Sequence, residues 1–298
     1  MHRLPTTPFS LFAALFFAAT LARGELIFHS NFAHGASDIL GSAASSGFPN
    51  GTGWESGSGN VRYESSVTAP WAGDTDYILV PSGNNAGGSM FSASLSSNGR
   101  RGMQKDLGTS LTGTFWLSAL LRSEVNLTTV GTFLAFENGA ASFSAVDGQG
   151  FGLRGDGQLI TTSGGASGVT AQTANFDFNV WYLFVAKIAL NATPGGADSL
   201  DLWVFDNASS FGLTEASLGT AALSTSSIQF GDSIGDVWFG TYMGNTQAGG
   251  SLDNLRISNL GTDSGVYEVL QGAVIPEPGT LALVGLSLAA SVLFRRRR

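Results

Sequence analysis

The sequence predicts an all-β protein, a two-sheet antiparallel sandwich of the jelly-roll kind carried between two apolar end segments. Three observations lead there. Glycine supplies 41 of 298 residues and charged residues only 12%, against usual shares of about 7% and about 25%. Lysine occurs twice, at Lys105 and Lys187, whereas a helical protein spends Lys, Glu, Gln and Arg on its solvent faces. Short aromatic and β-branched runs alternate with clusters of Gly, Ser, Thr, Asn and Asp, the pattern of strands and turns. A chain this long with 43% hydrophobic residues supports one sizeable core. It has no cysteine, so disulfides, thiol catalysis and thiolate metal sites are excluded together.

In chain order, residues 1–24 read as a secretory signal peptide. His2 and Arg3 precede an apolar stretch from Phe9 to Leu21, and small residues follow, with cleavage expected after Ala22 or Gly24. The apolar run is too short to span a bilayer. Signal peptidase is therefore the first partner. Residues 25–260 read as one sandwich, without a repeat of 20 to 50 residues and without a charged or proline-rich linker. Strands are expected at Glu25–Phe32, Tyr77–Val80, Thr114–Arg122, Val130–Glu137, Gly150–Arg154, Gln158–Thr162, Trp181–Asn191, Leu200–Asp206, Val237–Tyr242 and Leu252–Ser258. The clearest hairpin joins Trp181–Asn191 to Leu200–Asp206. Its first arm is apolar on both faces, as befits a strand in the middle of a sandwich, and its second alternates Leu200, Leu202 and Val204 with Asp201, Trp203 and Phe205. Residues 261–275 read as a tether.

The last segment, 276–298, has three parts: Pro276-Glu277-Pro278, an uncharged run from Gly279 to Phe294, and Arg295, Arg296, Arg297 and Arg298. Prolines push the residues before them toward extended backbone, so the tripeptide makes an accessible strand outside the membrane. The 16 uncharged residues form a transmembrane helix of about 24 Å, short for a hydrocarbon core of about 30 Å. Snorkelling arginines and local thinning supply the difference. The four arginines stop transfer and stay in the cytoplasm. A plain single-pass anchor explains the apolar run and the arginines but not Pro-Glu-Pro.

On these residues the C-terminus resembles the PEP-CTERM sorting signal of Gram-negative bacteria that make extracellular polysaccharide. That resemblance implies a membrane peptidase, exosortase, that recognises Pro276, Glu277 and Pro278 and removes the hydrophobic tail, so that membrane attachment is transient. The protein is then expected at the cell surface or in the extracellular matrix. Between the two processed ends stand 8 basic and 22 acidic residues, a net of −14. Such a protein repels phosphate backbones, and nucleic acid is excluded as a partner.

The strand order also resembles the concanavalin A-like, laminin-G-like jelly roll. The match is carried by Phe28-His-Ser-Asn-Phe32, Phe115–Arg122, the Trp181–Asp206 hairpin and Gly250–Ser258. Lectins, adhesive modules and glycosidases share that fold, so it does not choose among them.

Gly231-Asp-Ser-Ile-Gly235 matches G-x-S-x-G, yet His29 and His34 both precede Ser233, whereas the α/β-hydrolase order puts His last. It reads as a turn. Gly150–Gly155 fits G-x-G-x-x-G but lacks a following helix to hold phosphate, and reads as a strand and turn. Arg154-Gly155-Asp156 spells an adhesion tripeptide inside that turn. Asp74 and Asp76 are the candidate calcium ligands, two carboxylates where the ion wants six to eight oxygens. Trp54, Trp71 and Tyr77 are candidate sugar-stacking rings, with Asp74, Asp76, Glu55 and Asn60 as acceptors for sugar hydroxyls. Plugging the ends of the sandwich is the competing role for the tryptophans. No catalytic residue and no cofactor is assigned. The resulting expectation is a non-catalytic surface or matrix protein that associates with polysaccharide. Its alternatives are a glycan-cleaving enzyme with acids spread over several strands and a purely structural matrix protein.

Overall fold

The computed structural model describes residues 26–30, 55–58, 60–64, 89–94, 101–123, 131–137, 149–162, 169–172, 176–177, 179–191, 193, 195–206, 208–242 and 248–271. Fifteen strands are described: β1 Leu26–Ser30, β2 Glu55–Ser58, β3 Asn60–Glu64, β4 Ser89–Ser94, β5 Arg101–Leu111, β6 Thr114–Ser123, β7 Gly131–Glu137, β8 Gln149–Arg154, β9 Leu159–Thr162, β10 Val169–Gln172, β11 Tyr182–Ala189, β12 Asp198–Phe205, β13 Leu223–Ile228, β14 Ile234–Tyr242 and β15 Ala248–Ser258. One 3-10 turn, Glu215–Leu218, and one helix, α1 Asp263–Gln271, complete them.

The strands form two antiparallel sheets. One has eight strands in the order β13-β12-β11-β6-β15-β4-β3, with β1 beside β15; the other has seven in the order β10-β9-β8-β7-β14-β5-β2. The chain passes repeatedly from one sheet to the other, and β6 and β15 of the first lie over β7 and β14 of the second. This is the antiparallel jelly-roll sandwich that the sequence predicts. β4 and β1 share one edge of β15, β4 along Ala248–Leu252 and β1 along Leu255–Ser258.

Strand alternation divides the apolar residues into layers. Phe115, Leu117, Ala119 and Leu121 of β6 and Tyr182, Phe184, Ala186 and Ile188 of β11 face the other sheet, whose Leu134, Phe136, Phe151, Leu153, Val237 and Phe239 complete the main core. Trp116, Leu120, Leu183, Val185, Trp203 and Phe205 point the other way and form a second cluster with Val266, Val269 and Leu270 of α1 and Leu218. The first hairpin arm is apolar on both faces because both faces are covered.

Register shifts in β15 and β14, among others, adjust this alternation. In β15, Leu252 and Leu255 stand three apart yet both enter the main core, because the register shifts between Asp253 and Arg256. Asn254 takes the left-handed conformation, φ 49, that asparagine tolerates. The shift aims Arg256 and Ser258 at α1. In β14 a shift between Ile234 and Asp236 likewise lets Ile234 and Val237 face inward together.

Several expectations need correction. The stretch read as a tether, 261–275, contains α1, and Val266, Val269 and Leu270 are fully buried there. Helix propensity did not announce it, since Asp263-Ser-Gly-Val-Tyr-Glu-Val-Leu-Gln271 carries a glycine and two valines. The packing explains it: a Cβ on Gly265 would lie 2.6 Å from Cδ1 of Trp116 and 2.2 Å from the Leu260 carbonyl oxygen. Strands β2, β3, β4, β5, β10 and β13 are not among the expected ones: β2, β4, β5 and β13 carry the Gly or Ser of loops, β3 and β10 are short and at least half polar, and all pair at or near sheet edges. The strand expected at Tyr77–Val80 lies outside the described residues.

Candidate functional site

Charged side chains gather in two regions. The first joins α1 to the sandwich. Arg256, fully buried on β15, donates from Nη1 to the carbonyl of Leu270 at 3.1 Å and to that of Val269 at 3.4 Å. Ser118 Oγ on β6 donates to the same Val269 carbonyl at 2.6 Å. Ser258 Oγ donates to the Glu268 carboxylate, which is also buried. A cation thus meets carbonyls in the last turn, where the helix dipole is negative and the orphan carbonyls need donors. At the other end the Glu215 amide donates to Asp263 Oδ1 at 2.8 Å. Glu215 itself accepts from Lys187 Nζ at 2.7 Å on both oxygens, and that ammonium sits 5.6 Å from the Trp116 ring centroid. Trp116 stacks on Trp203 at 5.5 Å. The helix is clamped at both ends.

The second region is the outer face of the seven-stranded sheet. By register one row crosses it as Glu137 on β7, Asp236 on β14 and Asp106 on β5. Neighbouring strands lie about 4.8 Å apart, so the outer two positions are about 10 Å apart across the middle one. The next row holds Ala135, Trp238, Gln104 and Glu55; the one after holds Gly152, Phe133, Gly240 and Gly102. Like charges directly opposite one another disfavour a sheet, so the acidic row needs an offset from its surroundings. Asp236 is buried, and Asp106 Oδ1 accepts from the Gly108 amide at 2.7 Å. Trp238 and Phe133 are buried, so neither ring is a free stacking face. Phe133 is flanked across both neighbouring strands by glycines, which leave room for a ring between them.

The hairpin joining β8 and β9 is fixed by its own charges. Arg154 Nε and Nη2 each donate to Asp156 at 2.7 Å, and Nη2 also donates to the Gln158 side chain. The Arg154 hydrogen bonds hold the Asp156 carboxyl below the usual carboxylate range. Both charged ends of the Arg154-Gly155-Asp156 tripeptide are spent on each other. Gly231-Asp-Ser-Ile-Gly235 is the turn and bulge that open β14, with Gly231 at φ 98.

The sequence candidates are distributed unevenly. Glu55 and Asn60 fall on β2 and β3, and His29 pairs with Arg256 across β1 and β15. Trp54, Trp71, Asp74, Asp76, Tyr77 and His34 lie outside the described residues, as do Pro276, Glu277, Pro278 and Arg295 to Arg298. Arg256 and the acidic row were not singled out from sequence. The three-residue spacing of Leu252 and Leu255 was the available signal for the bulge that aims Arg256. Among the described residues no group of three or more His, Cys, Asp or Glu is placed to hold a metal, and no helix is long and apolar enough to cross a membrane.

No curated protein sequence matches the chain. Among solved structures, an alginate lyase of family PL-14 from Aplysia kurodai is similar at 12% identity and TM-score 0.42, over 58% of this chain and 83% of its own. The endo-β-1,4-glucuronan lyase from the fungus Trichoderma reesei is similar at 13% identity and TM-score 0.41, over 70% and 92%. Cellulose induced protein Cip1 is similar at 14% identity and TM-score 0.42, over 78% and 97%. The fold assignment rests on the strand order described above. Residues 274–298 match the model of the PEP-CTERM protein-sorting motif. The chain is thus a jelly-roll sandwich followed, with two residues between its last described helix and the match, by a PEP-CTERM sorting motif.

Proposed function

We propose that this is an exported protein, delivered by exosortase to the cell surface or extracellular matrix, where its sandwich associates with polysaccharide without cleaving it. The observation that carries the reading is the sorting motif at 274–298. Its chemistry suits a transit stage: an extended Pro276-Glu277-Pro278, an apolar run that holds the chain at the membrane, and arginines that stop transfer. Signal peptidase acts at the N-terminal end, and the membrane is a temporary partner. Replacing Pro276, Glu277 and Pro278 by alanine lets the helix extend outward and hides the recognition strand while the anchor remains. Full-length protein should then accumulate in the membrane fraction. Peptides from Leu281 to Phe294 in wild-type surface material, found by mass spectrometry, would refute processing.

Polysaccharide association is tested on glycan arrays and by retention on the cell's own polymer, each with and without calcium. Binding to no glycan in either condition leaves a purely structural role. A second reading, glycan cleavage, is favoured by one observation: the carboxylate positions Glu137, Asp236 and Asp106 in a single row, at separations suited to paired acid catalysis. Non-catalytic association is preferred because Asp236 at the centre of the row is buried and Asp106 is turned to the Gly108 amide. New reducing ends released from a glycan by the wild type, and lost in Asp236→Asn, would reverse that preference.

A further inference from the structure

The chain enters and leaves the sandwich at one place. Leu26 at the start of β1 shares an apolar cluster with Val266, Val269 and Leu270 of α1. β1 pairs with the stretch of β15 that contains Arg256, the residue that holds the last turn of α1. From Gln271 to Gly279, where the apolar run begins, the chain takes eight steps, at most about 29 Å when fully extended. The attachment on the folded side is firm. Three buried apolar side chains and a buried polar network fix α1 to β6 and β15, so this distance cannot be lengthened without exposing them.

α1 lies on the outer face of the eight-stranded sheet, and the carboxylate and aromatic rows lie on the outer face of the seven-stranded sheet. Two packed layers separate them, each about 10 Å deep. Among the described residues the chain leaves toward the sorting motif from the helix-covered face, which keeps that face nearer the attachment point. We propose that, while the unprocessed chain is held at the membrane, the sandwich stands with its helix-covered face toward the bilayer and the outer face of its seven-stranded sheet away from it. This orientation rests on the sorting reading above. Attraction to lipid does not supply it: the domain carries a net −14, and Lys187 on the helix side is already paired with Glu215. The tether alone sets it. The consequence for function is that the outer face of the seven-stranded sheet, on which Asp106 is exposed, looks outward, to polymer outside the cell, before the tail is removed.

The absence of cysteine allows single thiol labels without background. The full-length chain is reconstituted into phosphatidylcholine vesicles carrying a spin label on the lipid headgroup, in which no sorting peptidase is present. A fluorophore is placed at Tyr267→Cys on α1, or at Asp106→Cys or Ser110→Cys on β5, with Ser264→Cys as the second helix position should Tyr267→Cys perturb packing. Headgroup quenching at the helix positions is expected to exceed that at the β5 positions at least threefold. Equal quenching on the two faces, or stronger quenching on β5, overturns the orientation. Chain recovered free of the vesicles refutes the anchoring itself, a different failure, read by flotation before any fluorescence is measured.

Discussion

The two outer faces of this sandwich belong to sheets of nearly equal size, and they are finished in opposite ways. On the eight-stranded sheet, Leu183 and Val185 of β11 and Trp116 and Leu120 of β6 need a cover, and α1 with the 3-10 turn supplies it. On the seven-stranded sheet the corresponding positions of β8 are Gly150 and Gly152, and a neighbouring row is acidic. The main core is common to both sheets, so the difference lies entirely in what alternates with it. A continuous apolar outer set turns one sheet face into a second core under α1, whereas on the other face the buried Phe133, Ala135 and Trp238 are interspersed with glycines and carboxylates.

If that contrast is right, the helix side should bear most of the stability. Ending the chain at Leu260 removes α1 and with it three buried apolar side chains, a loss of roughly 5–9 kcal/mol as an upper bound. That is comparable to the whole stability of an ordinary domain, so a chain of residues 25–260 is expected not to fold, while one of residues 25–275 gives a cooperative urea transition. Equal midpoints for the two would break the comparison.

Arg256→Met keeps the bulk of the side chain but withdraws the donors from the Val269 and Leu270 carbonyls. A cost of about 2–4 kcal/mol is expected, measured by urea denaturation of the residues 25–275 protein. Loss of amide protection in α1 ahead of the strands, by hydrogen exchange, would locate the damage.

The hairpin between β8 and β9 offers a smaller effect with a defined pH sign. The folded Asp156 carboxyl is held below its ordinary range by Arg154. Its contribution is therefore complete above the unfolded value of about 3.9 and is lost as pH falls through the depressed folded value. Asp156→Asn should cost under about 1 kcal/mol at neutral pH and nothing at strongly acid pH, since the pair is partly open to water. A cost that persists unchanged at pH 2 would point to lost hairpin geometry and not to charge.

Smallest of all is Asp106→Asn in the acidic row. Relief of like-charge repulsion should offset the weakened bond to Gly108 and leave stability within about 0.5 kcal/mol of wild type, shifted toward stabilisation at low salt. A clear destabilisation would mean that the seven-stranded face depends on its carboxylates as the other depends on its helix.

Much of this was legible along the chain, and the particular residues show why. The arm Trp181–Asn191, apolar at consecutive positions, demanded cover on both sides, and its partner placed Trp203 and Phe205 opposite Leu200 and Leu202. The sorting motif was legible because its three parts are contiguous and act through backbone restriction, hydrophobicity and charge, none of which needs a fold. The candidate sugar ligands Trp54, Trp71, Asp74, Asp76 and Tyr77 stay as sequence expectations outside the described residues.

What the sequence determined by itself was therefore the all-β class, the strands rich in large apolar residues and the address at the C-terminus, because each is written in neighbouring residues with a period of two or in a continuous run. Only the tertiary structure decided that 263–271 is a helix, that Arg256 turns toward it, and that Glu137, Asp236 and Asp106 share a row. Each of those depends on partners distant in the chain, Ser118 meeting Val269 across 151 residues being the plainest case. A helix containing Gly265 and two valines forms because Trp116 and the β15 bulge provide a surface that it fits, and no local preference encodes that surface.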